Sequence, residues 1–408
     1  MFLYEKQLNQ HRDTLFDLLS TAKEYVPFFK KLKNPCSYYL KNYNNWGDLP
    51  FMEKEDIQQK WEDYVVNPSV SEDNSIRLLH TSGSTGRPLK IFRHKREDLL
   101  LGKKLWKARR EWHPDIMNWR LLYLYRNFES NKLNVLRLGN DEYLDLSEKS
   151  ITSYLDDIKG FKPQWIIGPP IAVTRLAQIL KGKNINSIEL VEMFGEKILP
   201  YQREIIEKNL GCKVINHYGC RELDVLSYQC SHGSMHAWDE HLFFEVIKDG
   251  YPANDGEEGE LVVTSLTNKI MPFIRYKVGD KVRLYRDDNQ CKCGKMSLLL
   301  EPVGGRVSNI VYTRDKVLTS GIFDTVFSRL IRDYEETILN FQVIQKSYDR
   351  FIIKLVRGSN FSSFILLELR KELEKFLVDV HYEFIFVDSI KNLDSGKTLT
   401  FIPMKKIH

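Results

Sequence analysis

His80-Thr-Ser-Gly-Ser-Thr-Gly-Arg-Pro-Leu-Lys90 directly follows a short apolar run, Ile76 to Leu79, that predicts a β-strand. The two glycines of this loop allow a tight turn and a close approach of the backbone to a ligand. Backbone N–H groups and hydroxyl side chains together form a concave set of donors that suits phosphate oxygens. A plain surface loop is the alternative, but the order of strand, glycine loop, proline and lysine favours phosphate binding. The predicted phosphate contacts are Thr81, Ser82, Gly83, Ser84, Thr85, Gly86 and Lys90.

Helices are predicted in the N-terminal part of the chain before this loop, and strands that alternate with helices are predicted after it. Residues 1–65 have helical patterns interrupted by a turn-rich stretch, Asn34 to Asp48, and a further helix is predicted at Glu97 to Glu111. Apolar strands, several followed by helical sequence, are predicted at Leu121–Tyr125, Trp165–Ile167, Ser187–Phe194 and Lys213–Asn216. This alternation predicts an α/β domain in which helices cover the faces of a sheet.

The pattern changes after Glu240, where short strands are separated by Gly, Asp and Asn turns. A β-rich subdomain is predicted over about 240–303, with strands at His241–Ile247, Gly259–Ser265 and Lys281–Tyr285. Beyond Gly304-Gly305, the order helix, hairpin, helix, strand predicts a small α+β domain. We therefore expect a large N-terminal α/β domain in residues 1–306 and a small, mobile C-terminal domain in residues 307–408.

Composition and charge exclude several classes of protein. The net charge of the 408 residues is only +5, from 60 basic and 55 acidic side chains, so nucleic acid is not an expected partner. No apolar run approaches the roughly 18 residues of a membrane span. Residues Met1 to Phe16 lack the apolar core of a signal peptide. We expect a cytoplasmic protein, monomeric or homodimeric, without a membrane partner.

Three later segments carry side chains suited to a nucleotide. In His217-Tyr-Gly-Cys-Arg-Glu222, an aromatic ring can stack on adenine and a carboxylate can hold Mg²⁺. Arg221 either contacts phosphate or lies on the surface. Asp280 closes a predicted strand at a turn, where its carboxylate can accept both ribose hydroxyls. Lys397, in Asp394-Ser-Gly-Lys397, is either an ordinary turn lysine or a cation that stabilises developing charge.

These segments resemble the adenylate-forming superfamily of acyl-CoA synthetases, peptide-synthetase adenylation domains and luciferases. The closest likeness is to the branch of phenylacetate–CoA ligase and capsule-biosynthesis proteins, which the stretch Asp48-Leu-Pro-Phe-Met-Glu-Lys-Glu-Asp56 also resembles. The likeness covers residues 48 to 400. Arg221 departs from the Thr or Ser of the common pattern, as in capsule-type members, and Ser308 and Asn309 leave the family's hinge residue unassigned.

The resemblance implies roles for individual residues. It implies catalytic roles for Lys397, Glu222 and Thr81, with Glu222 holding Mg²⁺. It places the adenine pocket at the segment Phe194-Gly-Glu196 and implies that Arg306 contacts the ribose and phosphate region. The nucleotide contacts implied downstream of the loop are Gly195, Glu196, His217, Tyr218, Gly219, Arg221, Asp280 and Arg306.

The resemblance also implies a reaction. ATP binding between the two domains would be followed by attack of a carboxylic acid on the α-phosphorus, giving an acyl-adenylate and pyrophosphate. An aryl or arylacetic acid and transfer of the acyl group to coenzyme A are implied by the nearest branch. Two alternatives stay open: acyl transfer to an amine, a hydroxyl or a carrier protein in capsule or natural-product biosynthesis, and a non-catalytic nucleotide-binding protein of the same fold.

Cysteine and histidine side chains in two polar, turn-like stretches predict a structural zinc site. Cys230 is followed by His232 and His236, and Cys291-Lys-Cys293-Gly comes much later. Three thiolates and one imidazole suit tetrahedral zinc. The predicted ligands are Cys230, His236, Cys291 and Cys293, with His232 in reserve, and reduced free cysteines are the alternative.

Overall fold

The computed structural model describes most of the chain and divides it into two compact units. Unit 1 consists of Met1–Met117 and His217–Val303, and unit 2 consists of Asn118–Asn216 and Gly304–His408. Each unit is thus assembled from two separate pieces of chain. The described residues are 2–67, 73–80, 89–124, 134–138, 148–195, 197–286, 291–306, 310–314, 317–334, 336–390 and 399–404.

The N-terminal piece of unit 1 is mainly helical, as predicted. Its apolar helix faces are buried, including Leu8, Leu15, Leu18 and Leu19. Short helices also occupy the turn-rich stretch predicted to interrupt them, where the Asn42 side chain accepts a hydrogen bond from the Asn45 N–H at 3.0 Å and so caps a helix. The helices are α1 (Phe2–Gln10), α2 (Arg12–Tyr25), α3 (Pro27–Lys30), α4 (Cys36–Tyr39), α5 (Tyr43–Gly47), α6 (Lys54–Gln59) and α7 (Lys95–Arg110).

Two antiparallel strands flank the glycine loop. They are β1 (Ile76–His80) and β2 (Lys90–His94), and their register places His80 opposite Lys90. In the sequence, the nine residues between the two strands, 81–89, include the glycine loop. Lys90, at the start of β2, lies with its Nζ 5.0 Å from the centre of the Trp61 ring.

The second piece of unit 1 is built from antiparallel strands. They begin before Glu240, the point at which the sequence pattern changes. The strands are β7 (Lys213–Cys220), β8 (Asp224–Gln229), β9 (Met235–Ala237), β10 (Leu242–Lys248), β11 (Tyr251–Pro252), β12 (Glu258–Ser265), β13 (Tyr276–Tyr285) and β14 (Leu299–Arg306). Their order is β11-β10-β12-β13-β14-β9-β8-β7, and β7 and β14 each have residues in both units.

The first piece of unit 2 has the predicted alternation of strands and helices. Parallel strands in the order β4-β3-β5-β6 bury apolar side chains against the helices. Parallel strands that are buried on both faces have nearly continuous apolar sequences, and apolar sequence was the basis for predicting these strands. The elements are β3 (Leu121–Tyr123), β4 (Val135–Arg137), α8 (Glu148–Ser153), α9 (Leu155–Phe161), β5 (Trp165–Gly168), α10 (Pro170–Leu180), β6 (Leu190–Phe194) and α11 (Pro200–Leu210).

The C-terminal piece of unit 2 is the predicted α+β fold. A sheet in the order β19-β18-β17-β20 packs one face on two helices, and its core also includes Leu199 and Tyr201 at the start of α11. The elements are β15 (Ile310–Tyr312), β16 (Val317–Thr319), α12 (Gly321–Asp333), β17 (Ile338–Ser347), β18 (Arg350–Arg357), α13 (Ser363–Glu374), β19 (His381–Phe386) and β20 (Phe401–Ile402). The predicted fold class, a large α/β part with β-rich strands and a small α+β part, is confirmed.

Membrane insertion through a helix finds no support in the described part of the chain. None of its helices combines the length and the apolar character that crossing a bilayer requires.

Candidate functional site

Tyr218 and Asp280 meet in unit 1, although Asp280 comes 62 positions after Tyr218 in the sequence. The Tyr218 hydroxyl donates a hydrogen bond to Asp280 Oδ2 at 2.7 Å. Tyr218 comes from β7 and Asp280 from β13, directly after Gly279, whose φ of 83° suits glycine. An aromatic ring and a carboxylate therefore lie together, as recognition of an adenosine requires.

Glu222 lies in the turn between β7 and β8, and its carboxylate is almost fully buried, with 6% of the side chain exposed. The Tyr276 hydroxyl donates to Glu222 Oε1 at 2.9 Å, and the Lys54 ammonium lies 3.5 Å from the same oxygen. Burial, and then the charge of the Glu222 carboxylate, raise the pKa of Tyr276 well above its ordinary value. The tyrosine therefore remains a proton donor to Glu222.

The backbone of the same turn is held by Arg93 of β2, a side chain that is only 3% exposed. One guanidinium nitrogen donates to the carbonyl oxygens of Glu222 at 3.0 Å and Arg221 at 3.3 Å. The other nitrogen pairs with Asp98 at 3.2 Å and Asp224 at 3.3 Å. A buried, charge-assisted set of bonds thus joins the strand that follows the glycine loop to the turn that carries Glu222.

Gly219 is required at its position by a close approach of the backbone. A Cβ atom there would lie 3.0 Å from the Val225 Cα and would collide with the Asp224 carbonyl oxygen. The register of β7 against β8 shifts between Tyr218 and Gly219. Any larger residue would push these strands apart and move Tyr218.

Two further predicted nucleotide residues lie near this site in the chain but make other contacts. The His217 ring stacks on Tyr228, with ring centroids 5.9 Å apart and an interplanar angle of 11°. The Arg221 side chain is exposed. Both remain candidates for contact with a ligand.

The remaining predicted residues belong to unit 2 or lie outside the described residues. Gly195 directly follows β6 and has a φ of 87°, a conformation that favours glycine. Arg306 closes β14, of which the backbone is described at this point. Outside the described residues lie the predicted loop contacts Thr81, Ser82, Gly83, Ser84, Thr85 and Gly86, together with Glu196 and Lys397.

The four predicted zinc ligands come together at one place in unit 1. The ligand atoms of Cys230, His236, Cys291 and Cys293 all lie within 4.8 Å of one another. The Cys230 and Cys291 sulfurs are 3.6 Å apart, and Cys293 Sγ is 3.2 Å from His236 Nε2. Tetrahedral zinc with Zn–S bonds of about 2.3 Å puts sulfurs roughly 3.8 Å apart, so the donor set and its spacing fit a zinc ion.

Polar neighbours orient these side chains. The Ser297 hydroxyl lies 2.9 Å from His236 Nδ1, and the Ser234 hydroxyl lies 3.4 Å from Cys291 Sγ. A hydrogen bond at Nδ1 is the usual way of turning the other imidazole nitrogen to a metal. His232, the reserve ligand, is exposed, whereas His236 lies on β9 and is buried. The geometry therefore selects His236 from the two histidines that the sequence leaves open.

Three residues at the Glu222 turn were missed by the sequence analysis. Lys54 lies in the Asp48–Asp56 stretch, which the sequence analysis used only as evidence for the family resemblance. Tyr276 lies four residues before Asp280. The sequence around Arg93 does not indicate that this side chain is buried, because an arginine in a short strand next to charged residues is usually exposed. Only the contact between distant segments shows that these side chains converge on Glu222.

Comparisons with known proteins find relatives that include phenylacetate-coenzyme A ligases and protein CapK. Residues 311–403 match the family model described as the CapK C-terminal domain. The chain is 24% identical to phenylacetate-coenzyme A ligase of Thermus thermophilus over 364 residues, covering 83% of this chain and 78% of the relative. It is 22% identical to protein CapK of Staphylococcus aureus over 423 residues, covering 96% and 90% respectively.

Solved structures agree in fold. A 2-hydroxyisobutyryl-CoA ligase, crystallised in the postadenylation state with R3-HIB-AMP, superposes with a TM-score of 0.72 at 17% identity and covers 96% of this chain and 88% of its own. At this identity the likeness shows the fold. Together, the relatives and the fold confirm the resemblance predicted from the sequence.

Proposed function

We propose that this chain, which belongs to the adenylate-forming superfamily and is an AMP-forming acid–thiol ligase, activates an aryl or arylacetic acid and transfers it to coenzyme A. The observation that carries the proposal is that two hydrogen bonds, Tyr218 to Asp280 and Tyr276 to Glu222, join β13 to β7 and to the turn that follows β7. This set supplies a ring for adenine, a carboxylate for ribose and a carboxylate for the metal that accompanies ATP. Relatives that are named phenylacetate-coenzyme A ligase support the class of acid and of acceptor.

Mg²⁺ fits the Glu222 carboxylate, which is the kind of hard oxygen ligand that the ion prefers. Both protein partners approach Oε1 and, within the described residues, no hydrogen-bond partner of Oε2 is found, so that this oxygen is left for a cation. Bound there, the ion would neutralise part of the phosphate charge of ATP. Tyr276 and the Arg93-held turn would fix the carboxylate in place.

The first step is an in-line displacement at phosphorus. A carboxylate oxygen of the acid forms a bond to the α-phosphorus, and the bond from that phosphorus to the bridging oxygen of pyrophosphate breaks. The glycine loop, residues 81–86, and Lys397 are assigned to stabilise the charge on the phosphate oxygens. The chemistry needs positioning and electrostatics rather than a nucleophile from the protein, because the acid is the nucleophile.

The second step transfers the acyl group. The sulfur of coenzyme A attacks the carbonyl carbon of the acyl-adenylate, AMP leaves, and the thiol proton is lost to water or buffer. The match of residues 311–403 to the CapK C-terminal domain favours a second candidate, in which an amine, a hydroxyl or a carrier protein accepts the acyl group in capsule biosynthesis.

Pyrophosphate release tests this proposal. Purified protein with Mg²⁺-ATP should release pyrophosphate only when a suitable carboxylic acid is added, and a panel of aryl, arylacetic and aliphatic acids should identify the substrate. Thioester formation on addition of coenzyme A distinguishes the two candidate acceptors. No acid-dependent release across the panel, from protein shown to be folded, would leave only the third alternative, a non-catalytic nucleotide-binding protein.

A structural zinc ion is proposed for the four-ligand cluster. Purified protein should contain about one zinc per chain, and Cys291→Ser should reduce the zinc content severalfold and lower the melting temperature, because all four positions are filled by protein ligands. Elemental analysis and thermal denaturation measure both effects. Cys36→Ser is the matched control, since Cys36 lies on α4 outside the cluster and should leave the zinc content unchanged. Zinc-free native protein that remains folded would contradict the assignment.

A further inference from the structure

Lys54 is a cation at the candidate nucleotide site that neither the sequence motifs nor the proposed mechanism uses. Its ammonium lies 3.5 Å from Glu222 Oε1, and the side chain is 23% exposed while Glu222 is 6% exposed. The lysine thus reaches from the edge of the site to a buried carboxylate. We infer that Lys54 is a nucleotide-contacting residue whose ammonium moves from Glu222 to a phosphate oxygen when ATP binds; this inference rests on the proposed function.

Backbone hydrogen bonds fix the position of Lys54, so its contact with Glu222 is not an incidental surface ion pair. Met52 forms a parallel bridge with Tyr276, in which the Met52 N–H donates to the Arg275 carbonyl and the Lys277 N–H donates to the Met52 carbonyl, both at 3.1 Å. Tyr276 is itself the hydrogen-bond donor to Glu222. The bridge therefore fixes the start of α6, and with it Lys54, beside the carboxylate.

A second set of contacts holds this bridge in place. The Phe51 ring contacts two cations, since the Arg275 guanidinium lies 4.2 Å and the Lys277 ammonium 4.9 Å from the ring centre. Such contacts favour a fixed ring position. The segment that carries Lys54 is thereby attached to β13, the strand that also supplies Asp280.

The charges explain why the ammonium is expected to move. Mg²⁺ and an ammonium group compete for one carboxylate, and two cations at the same oxygen pair repel each other strongly in a partly buried site. The triphosphate of ATP brings several negative charges to that place. Lysine is a compact charge on a flexible four-carbon stem, so it can follow the new anion without a change of backbone. Without Mg²⁺, Lys54 would be a cation shared by Glu222 and the phosphates.

Binding of ATP to Lys54→Met, measured by titration calorimetry with and without Mg²⁺, tests this inference. Without Mg²⁺, the variant should bind ATP about tenfold more weakly, the loss expected for one charge-assisted hydrogen bond. With Mg²⁺ present the loss should be smaller, since the ion then neutralises part of the phosphate charge. Lys54→Arg should retain affinity in both conditions, because it keeps the charge.

Lys60→Met is the matched control. Lys60 lies directly after α6, the helix that begins with Lys54, and forms a 2.8 Å ion pair with Asp63 rather than with Glu222. Its removal should change the dissociation constant for ATP by less than about twofold, as for an ordinary surface pair. If Lys54→Met is too unstable to titrate, Lys54→Gln replaces it and is compared with Lys54→Arg.

The outcomes separate this inference from the proposed function. Wild-type affinity in Lys54→Met, or a loss of equal size with and without Mg²⁺, would overturn the role of Lys54 alone, because a purely structural lysine would not respond to the ion. A wild-type protein that binds no ATP in either condition would overturn the proposed function and the role of Lys54 together.

Discussion

Replacing Glu245 by alanine should lower the free energy of unfolding by about 3–5 kcal/mol, the usual cost of leaving a buried charge without its partner. Glu245 is fully buried on β10, and its carboxylate pairs with the Arg275 guanidinium at 3.1 Å. It also accepts hydrogen bonds from the Tyr43 hydroxyl at 2.7 Å and the Trp46 Nε1–H at 3.1 Å. Burial, and then the Glu245 charge, raise the pKa of Tyr43, which therefore stays a donor.

Thermal and urea denaturation measure this loss. Glu257→Ala is the control, because Glu257 forms its ion pair with Lys248 at the surface and should cost less than about 1 kcal/mol. Arg275 also donates to the carbonyls of Gly47 and Leu49 and precedes Tyr276, so Glu245→Ala should weaken ATP binding as well. Stability within 1 kcal/mol of wild type would show that the remaining carbonyl contacts satisfy the guanidinium.

Lys397→Ala should lower the rate of acyl-adenylate formation by about 10²–10³-fold, the effect of removing one preorganised donor from a developing anion. The affinity for ATP should change much less, because the contact is made as charge develops on the phosphate and not in the ground state. Acid-dependent pyrophosphate release measures the rate, and titration calorimetry measures the affinity.

Lys391→Ala is the matched control for this prediction, as a lysine six residues earlier in the same stretch of sequence. It should adenylate at the wild-type rate. Unimpaired adenylation by Lys397→Ala would show that the assignment of this lysine is wrong. A parallel loss of ATP affinity and rate would instead indicate that Lys397 binds the nucleotide equally in the ground state and the transition state.

Much of the fold follows from periodicity. The buried strand Trp165–Gly168 has a continuous apolar sequence, and the amphipathic helix Ser363–Glu374 is indicated by the spacing of Ile365, Leu369 and Leu373. The short helices between Asn34 and Asp48 were missed, because their stability comes from packing of Tyr43 and Trp46 and not from helix propensity. No local feature of the sequence predicts that each of the two units consists of two separate pieces of chain.

The candidate site could be predicted where its functional residues are close together in the sequence. Tyr218 and Glu222 lie in one motif, and Cys230 with the Cys291–Cys293 pair indicates a metal without showing which histidine completes the site. The choice of His236 depends on strand β9, which aligns this residue with Tyr228 of β8. The role of Lys54 could not be predicted, since Glu222 comes 168 positions later in the sequence and the approach of Lys54 depends on a single backbone bridge at Met52.

The shared core of the C-terminal piece has a consequence for protein engineering. Leu199, the residue before α11, and Tyr201 in its first turn are buried in the same core as residues of the C-terminal sheet and helices, such as Phe323 and Phe327. In a chimera that exchanges residues 307–408 for those of a relative, the new C-terminal piece would have to pack against Leu199 and Tyr201 of this chain instead of its own counterparts. Transplanting residues 199–201 together with the C-terminal piece should yield more soluble hybrids than a crossover at residue 307 alone.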